Sequence, residues 1–202
     1  MCPTPMLYFS DYHLKMDAAI MITGSHNPSE YNGFKMVLNK HSFFSKNIQN
    51  FQQIVSENKL EKKDGKIQNI EIIEHYVDRL LKNIVIKKKL KICWDIGNGA
   101  MGVIIDKLIS KLQNTENILI NKEVDGTFPN HHPDPTIPKN MEQLIKSVKE
   151  NNCDVGLAFD GDGDRLGVVD NLGNIVWADQ YMLILCSEIS NLYKNPKIIM
   201  DV

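Results

Sequence analysis

A mixed α/β fold with mainly parallel, layered sheets is predicted for this chain of 202 residues. Short apolar runs alternate with segments of helical period from residue 90 onward. Most of the runs end in Gly, Asn or Asp turns, and 43% of the residues are hydrophobic, enough at this length to bury a sizeable core. Strand, helix, strand, helix, strand and then a hairpin is an order that parallel pairing across helical crossovers produces.

Ala18–Ile22 reads as a short buried strand that runs into a polar turn, Thr23-Gly24-Ser25-His26-Asn27-Pro28. Asn32-Gly33 is a second turn, and Phe34–Leu38 a second strand. Ile48, Phe51, Ile54 and Val55 have helical spacing, and the charged stretch 59–66 is a solvated loop. Ile70, Ile73, Val77, Leu80, Leu81 and Ile84 then fall on one helical face. Lys87-Lys88-Lys89 marks a boundary.

Beyond it, Leu90–Trp94 is strand-like, and Ile104, Ile105, Leu108, Ile109 and Leu112 form a helix face. Ile118–Ile120 is the next strand. Met141, Leu144, Ile145 and Val148 follow helical spacing, with Asn140 placed as an N-cap. Asp154–Phe159 is a third strand. Leu166–Val169 and Ile175–Ala178 flank Asn-Leu-Gly-Asn as a hairpin, and Met182, Leu185, Cys186, Ile189 and Leu192 line a last helix. An apolar strand is expected at 197–202, with no partner after it.

Lys and Arg number 23 against 25 Asp and Glu, a net charge of −2 that supplies no general pull toward nucleic acid or anionic lipid. The longest apolar runs, such as Met182–Cys186, fall far short of the ~20 residues that span a bilayer. The first residues lack the layout of a signal peptide. Cys2, Cys93, Cys153 and Cys186 are scattered, which reads as reduced thiols in a cytoplasmic protein, neither a disulfide framework nor a zinc site.

Two segments concentrate chemistry. The turn at 23–28 gathers hydroxyl, imidazole and amide groups at a strand end, where α/β proteins place ligands. Ser25 there suits a nucleophile or phosphate carrier, and equally a helix cap. Its surroundings are not the G-x-S-x-G elbow. The second segment, Asp160-Gly161-Asp162-Gly163-Asp164-Arg165, sets three carboxylates on a glycine-spaced loop after an apolar strand. Such groups repel unless a cation lies among them, and oxygen ligands suit Mg²⁺ before Zn²⁺; a merely solvated acidic turn is the weaker alternative. An EF-hand requires Gly and Glu where this chain has Arg165 and Asn171. Arg165 is placed to orient the carboxylates or hold a phosphate.

Gly97-Asn98-Gly99-Ala100-Met101-Gly102 satisfies G-x-G-x-x-G, and Glu123 lies at a suitable distance for a dinucleotide site. Asp95 ahead of the glycines and Asn121 at the next strand end argue against nucleotide. Close packing is the better reading of this turn. In Phe128-Pro129-Asn130-His131-His132-Pro133-Asp134-Pro135, adjacent histidines point apart, so a shared metal is disfavoured. The prolines make a stiff loop, either a cleft wall or a connector.

Taken together, Thr-Gly-Ser-His-Asn-Pro, with Glu30-Tyr31-Asn32-Gly33-Phe34-Lys35 after it, resembles the phosphoserine loop of the α-D-phosphohexomutases. Asp-Gly-Asp-Gly-Asp-Arg resembles their metal loop, and Asp95–Gly102 the start of their second domain. The Phe-Pro-Asn-His-His-Pro-Asp-Pro stretch is similar to the phosphomannomutase/phosphoglucomutase branch.

The resemblance implies four domains around one cleft, with this chain holding part of domain I (1–86, the phosphoserine loop), all of domain II (87–195, the metal loop) and the first strand of domain III (196–202). It further implies interconversion of hexose 1-phosphate and hexose 6-phosphate through phosphorylated Ser25 and a hexose 1,6-bisphosphate. Mg²⁺ would be held by Asp160, Asp162 and Asp164, with Ser25 as a further ligand through its phosphoryl group. Lys35 would be the general acid/base with a lowered pKa, His26 an assisting neighbour and Arg165 a catalytic partner beside the metal loop. Hexose phosphates are the implied partners, with no nucleic acid or membrane, and a separate chain carrying the remaining domains is a further one. The chain alone is expected to be incomplete and inactive. The alternative is a non-catalytic remnant or split-gene module that retains Mg²⁺ or phosphate binding.

Overall fold

The chain opens on a helix, α1 (Thr4–His13), with Pro5 in its first turn, where a missing N–H leaves no helical bond unmade. The computed structural model describes residues 1–58, 61 and 63–199. The sequence reading lacks α1, because its apolar residues surround the axis instead of forming a stripe.

Next, β1 (Ala18–Ile22) and β2 (Phe34–Leu38) pair antiparallel, and β3 (His41–Ser42) completes a sheet in the order β1-β2-β3. The register sets Ile22 opposite Phe34 and Met21 opposite Lys35. The structure overturns the expectation of a buried first strand. β1 is an edge strand, and Ile20 and Ile22 are 61% and 63% exposed. An apolar run alone does not distinguish a core strand from an uncovered edge.

No residue of α2 (Lys46–Ser56) is buried. The predicted charged loop falls partly on residues outside those described, and Asp64–Lys66 are exposed coil. α3 (Ile73–Leu81) is shorter than its apolar spacing suggests. Ile70 and Ile84 lie outside it and are exposed, while Ile72, Tyr76 and Val77 make the buried contact.

The second sheet begins with β4 (Leu90–Asp95), followed by a short 3₁₀ turn and α4 (Ile105–Lys111). β5 (Thr115–Ile120), a long loop, α5 (Glu142–Glu150) and β6 (Val155–Phe159) come next. β7 (Leu166–Asp170), β8 (Ile175–Val176) and α6 (Ala178–Leu192) complete the elements. Asn140 is not the cap of α5. It sits in a 3₁₀ turn and donates its amide to the Asp134 carbonyl (2.9 Å), while Met141 occupies the N-cap. The apolar face of α6 is not buried, and Leu185, Ile189 and Leu192 are exposed. Lys197–Ile199 have no regular structure, and the rest of the strand expected at 197–202 lies outside the described residues.

Strand order is β5-β4-β6-β7-β8. Pairing is parallel for β5-β4-β6, as the helical crossovers require, and antiparallel for β6-β7-β8. The prediction of mainly parallel pairing therefore needs correcting to two parallel ladders. The loops after β6 and β7 are too short to carry a chain back to the same sheet end.

β4 lies inside the sheet between β5 and β6, and its alternate side chains enter two cores. Ile92 and Trp94 pack with Val77, Ile104, Ile105 and Leu108, whereas Cys93 packs with Met141, Leu144 and Val148. The result is helix, sheet, helix. β5 and β6 lie on opposite sides of β4, so the carboxyl ends of β4 and β6 border a topological switch point, where α/β sheets open a crevice. Both the glycine turn after β4 and the acidic loop after β6 open there. Among the described residues, no helix is long and apolar enough to cross a membrane.

Candidate active site

The β1–β2 connection brings Ser25 and Lys35 to the acidic loop from one side. Antiparallel pairing returns the chain, so that Lys35 stands opposite Met21 near the mouth of the 23–33 loop. A hydrogen bond from the Thr23 amide to the Gly33 carbonyl (3.0 Å) closes that loop, and Ser25 N–H donates to Thr23 Oγ1 (2.8 Å). Ser25 itself adopts φ 55°, a left-handed conformation that costs a non-glycine residue about 1–3 kcal/mol and clusters at functional sites.

On the other side, the 160–165 loop folds around Asp160. Its Oδ1 accepts the amides of Asp164 and Arg165, each at 2.9 Å. Gly161 lies so close to the serine loop that a Cβ there would overlap the Ser25 carbonyl oxygen. The glycine turn after β4 supports the same loop. Ala100 N–H donates to the Gly161 carbonyl (2.9 Å), and a Cβ on Gly99 would lie 2.7 Å from that oxygen. Close packing is thus what these glycines provide.

Ser25 Oγ stands 3.2 Å from Asp162 Oδ1, 3.3 Å from Asp160 Oδ2 and 3.2 Å from His26 Nδ1. One hydroxyl proton cannot serve both carboxylates at once, so the oxygen sits between Asp160 and Asp162 and is committed to neither. Carboxylate oxygens of Asp160, Asp162 and Asp164 all lie within 4.8 Å of one another. Asp160 and Asp162 are buried while Asp164 is exposed. Such an all-oxygen set on a tight loop fits a hard divalent cation of the Mg²⁺ kind.

The electrostatics follow from this crowding. Burial, reinforced by the charges of Asp162 and Asp164, pushes the Asp160 carboxyl up to about 6. Burial pushes Asp162 the same way, but hydrogen bonds from Lys35 and Thr4 outweigh it and hold that carboxyl below its ordinary value. Lys35 Nζ reaches Asp162 Oδ2 at 2.7 Å and Asp164 Oδ2 at 2.5 Å. Its own burial favours the neutral amine, yet the two carboxylates prevail and its pKa is raised. The expected lowering of the Lys35 pKa is therefore corrected: ion pairing overrides partial desolvation.

Arg165 lies 3.5 Å from Asp134 Oδ1, in the proline-rich loop. Burial pushes Asp134 up, but the Thr136 hydroxyl and amide, with His26 and Arg165 nearby, hold it below the usual range. Pro133 accepts the Gly161 amide (3.2 Å), so this loop walls the site. His131 faces Asp95 instead of sharing a ligand point with His132.

Three contributors have no role in the sequence reading. Thr23 Oγ1 reaches Asp162 Oδ2 at 3.2 Å, and Thr4 Oγ1 reaches the same oxygen at 2.6 Å. Asp134 braces Arg165. Thr23 and Asp134 stand inside motifs already singled out, but nothing in local spacing signals Thr4.

Family models described as phosphoglucomutase/phosphomannomutase, alpha/beta/alpha domain I and alpha/beta/alpha domain II match residues 1–62 and 74–173. A phosphomannomutase/phosphoglucomutase from Pseudomonas putida is 44% identical over 200 residues, covering 99% of this chain and 43% of that protein. A phosphoglucomutase from Neisseria meningitidis serogroup A is 41% identical over 204 residues, covering 100% of this chain and 44% of the relative. The crystal structure of a phosphoglucomutase/phosphomannomutase family protein from Burkholderia thailandensis superposes with a TM-score of 0.89 at 36% identity, over 95% of this chain and 43% of that one. The chain thus spans less than half the length of these relatives.

Proposed function

The chain belongs to the phosphoglucomutase/phosphomannomutase family, and from that premise we propose that it serves the interconversion of hexose 1-phosphate and hexose 6-phosphate, with Ser25 as the phosphate carrier. The observation that carries this reading is the placement of Ser25 Oγ 3.2–3.3 Å from Asp162 and Asp160. A serine in that position can bear a phosphoryl group whose oxygens meet the cation site.

Phosphoserine gives its phosphoryl group to the free hydroxyl of a hexose monophosphate, which becomes a 1,6-bisphosphate. The P–Oγ bond breaks, a new P–O bond forms on the sugar, the sugar hydroxyl gives up its proton, and Ser25 Oγ takes one up as it leaves. Return of the other phosphoryl group to Oγ then releases the isomeric monophosphate. Asp160, Asp162 and Asp164 would hold Mg²⁺, which offsets charge at the transferring phosphoryl group. Lys35, paired with Asp162, whose other oxygen faces Ser25, would be the group that exchanges a proton with the reacting oxygens. His26 Nδ1 orients the Ser25 hydroxyl, and Arg165 is braced by Asp134 to meet an anionic substrate. A cytoplasmic setting fits the four free cysteines.

The test is release of hexose monophosphate from glucose 1,6-bisphosphate or mannose 1,6-bisphosphate, one equivalent per chain. Transfer that requires Mg²⁺ and disappears in Ser25→Ala supports the reading. Mg²⁺-dependent transfer undiminished in Ser25→Ala contradicts it.

A further inference from the structure

The two buried carboxylates are held asymmetrically. Oδ1 of Asp160 is occupied by the amides of Asp164 and Arg165, while its Oδ2 faces Ser25 Oγ. For Asp162 the arrangement is reversed: Oδ2 accepts from Thr4, Thr23 and Lys35, and Oδ1 faces Ser25. In each group one oxygen is engaged by the protein and the other is turned toward the same point.

For Asp160 the engaging donors are its own loop. For Asp162 the shortest bond comes from Thr4, which is fully buried and 158 positions away. Thr4 also donates its amide to the Asp162 carbonyl (2.8 Å), so one residue at the head of α1 fixes both the backbone and the side chain of the central aspartate. Lys35 is 30% exposed and divides its ammonium between Asp162 and Asp164, and Thr23 is the more distant donor at 3.2 Å. Thr4 is the anchored member of the three, fully buried and tied to Asp162 through both its hydroxyl and its amide.

We propose that Thr4 is a positioning residue for the cation site, holding Asp162 Oδ2 so that Oδ1 is presented beside Asp160 Oδ2 and Ser25. The proposal rests on the reading of Asp160, Asp162 and Asp164 as the Mg²⁺ ligands. Groups that orient a metal ligand from behind commonly contribute 10–100-fold in affinity. α1 would thereby couple the amino-terminal segment to the acidic loop.

The test compares two pairs that differ chiefly by a hydroxyl, Thr4 with Thr4→Val and Thr4→Ser with Thr4→Ala. Mg²⁺ binding to the full 202-residue chain is read by titration calorimetry, and folding by circular dichroism without metal. We expect the hydroxyl-free member of each pair to bind about 10-fold or more weakly while folding like its partner. Thr4→Ser should stay close to the parent. Equal affinity within a folded pair would overturn the proposal. So would loss of folding in both hydroxyl-free variants while Thr4→Ser stays folded, which would make Thr4 purely structural. If the parent and Thr4→Ser bind no Mg²⁺ at all, the cation-site reading fails first and takes the proposal with it.

Discussion

Nε2 of His131 lies 2.9 Å from Oδ2 of Asp95, a carboxylate with no solvent exposure at the end of β4. The remaining imidazole nitrogen, Nδ1, is 3.0 Å from the His132 carbonyl. Both partners are acceptors, and only the imidazolium can donate to both at once. Burial opposes that charge, but Asp95 and the His132 carbonyl outweigh it, and the His131 pKa is raised above 6.5. Asp95 also accepts the Gly97 amide and the Asn121 side chain, each at 3.0 Å, so the pair locks the glycine turn to the proline-rich wall.

Stability should follow the titration of His131. A raised folded-state pKa means that the stabilisation is complete below the unfolded value and is lost as pH rises through the folded one. The gap in urea midpoint between parent and His131→Gln should therefore be widest near pH 5.5 and shrink by pH 9. A gap constant over that range would show that the charge on His131 contributes nothing.

Gly161→Ala should separate the two loops. The added Cβ would overlap the backbone oxygen of Ser25, and neither backbone segment can yield cheaply. Overpacking of this kind costs typically 1–3 kcal/mol. A lower thermal midpoint and weaker Mg²⁺ binding are expected together. An unchanged midpoint with parental affinity would show that the loops do not depend on this contact.

Asp162→Asn should weaken Mg²⁺ binding by at least about 10-fold in calorimetry, since the amide removes a charged hard ligand from the middle of the set. Parental affinity in this variant would remove Asp162 from the site.

Leu144→Ala tests the packing that supports β6 from behind. Leu144 is fully buried, and its Cδ1 would lie 2.9 Å from a Cβ on Gly156, so α5 sits close on the sheet. The loss should be about 2–5 kcal/mol in urea unfolding. A cost under about 1 kcal/mol would place the helix outside the core contacts described above.

Much of the site is legible because its chemistry is local. Asp160, Asp162 and Asp164 announce themselves through glycine spacing, and Ser25 through the polar turn that follows an apolar strand. The second sheet is legible for a similar reason: strands and helices alternate with clean periods from Leu90 to Phe159. Thr4 is not legible. Its role depends on a contact with Asp162 spanning 158 positions, and α1 lacks the stripe that marks an amphipathic helix. Apolar period also overstates burial at Ile20, Ile70 and Ile84, because it records which side chains could be covered and not what covers them. The Lys35 pKa escapes for the same reason: its direction depends on two carboxylates that only folding brings near.

The most direct measurement is mass spectrometry of the peptide spanning residues 18–35 after the folded chain has met a hexose 1,6-bisphosphate and Mg²⁺. Ser25 is the hydroxyl that the fold places against Asp160 and Asp162, whereas Ser29 shares its loop and Thr23 is turned toward Asp162 Oδ2. Phosphate on Ser25, absent when Mg²⁺ is withheld, is the predicted result. Phosphate on Ser29 or Thr23, or none on a sample shown to be folded, would contradict Ser25 as the carrier.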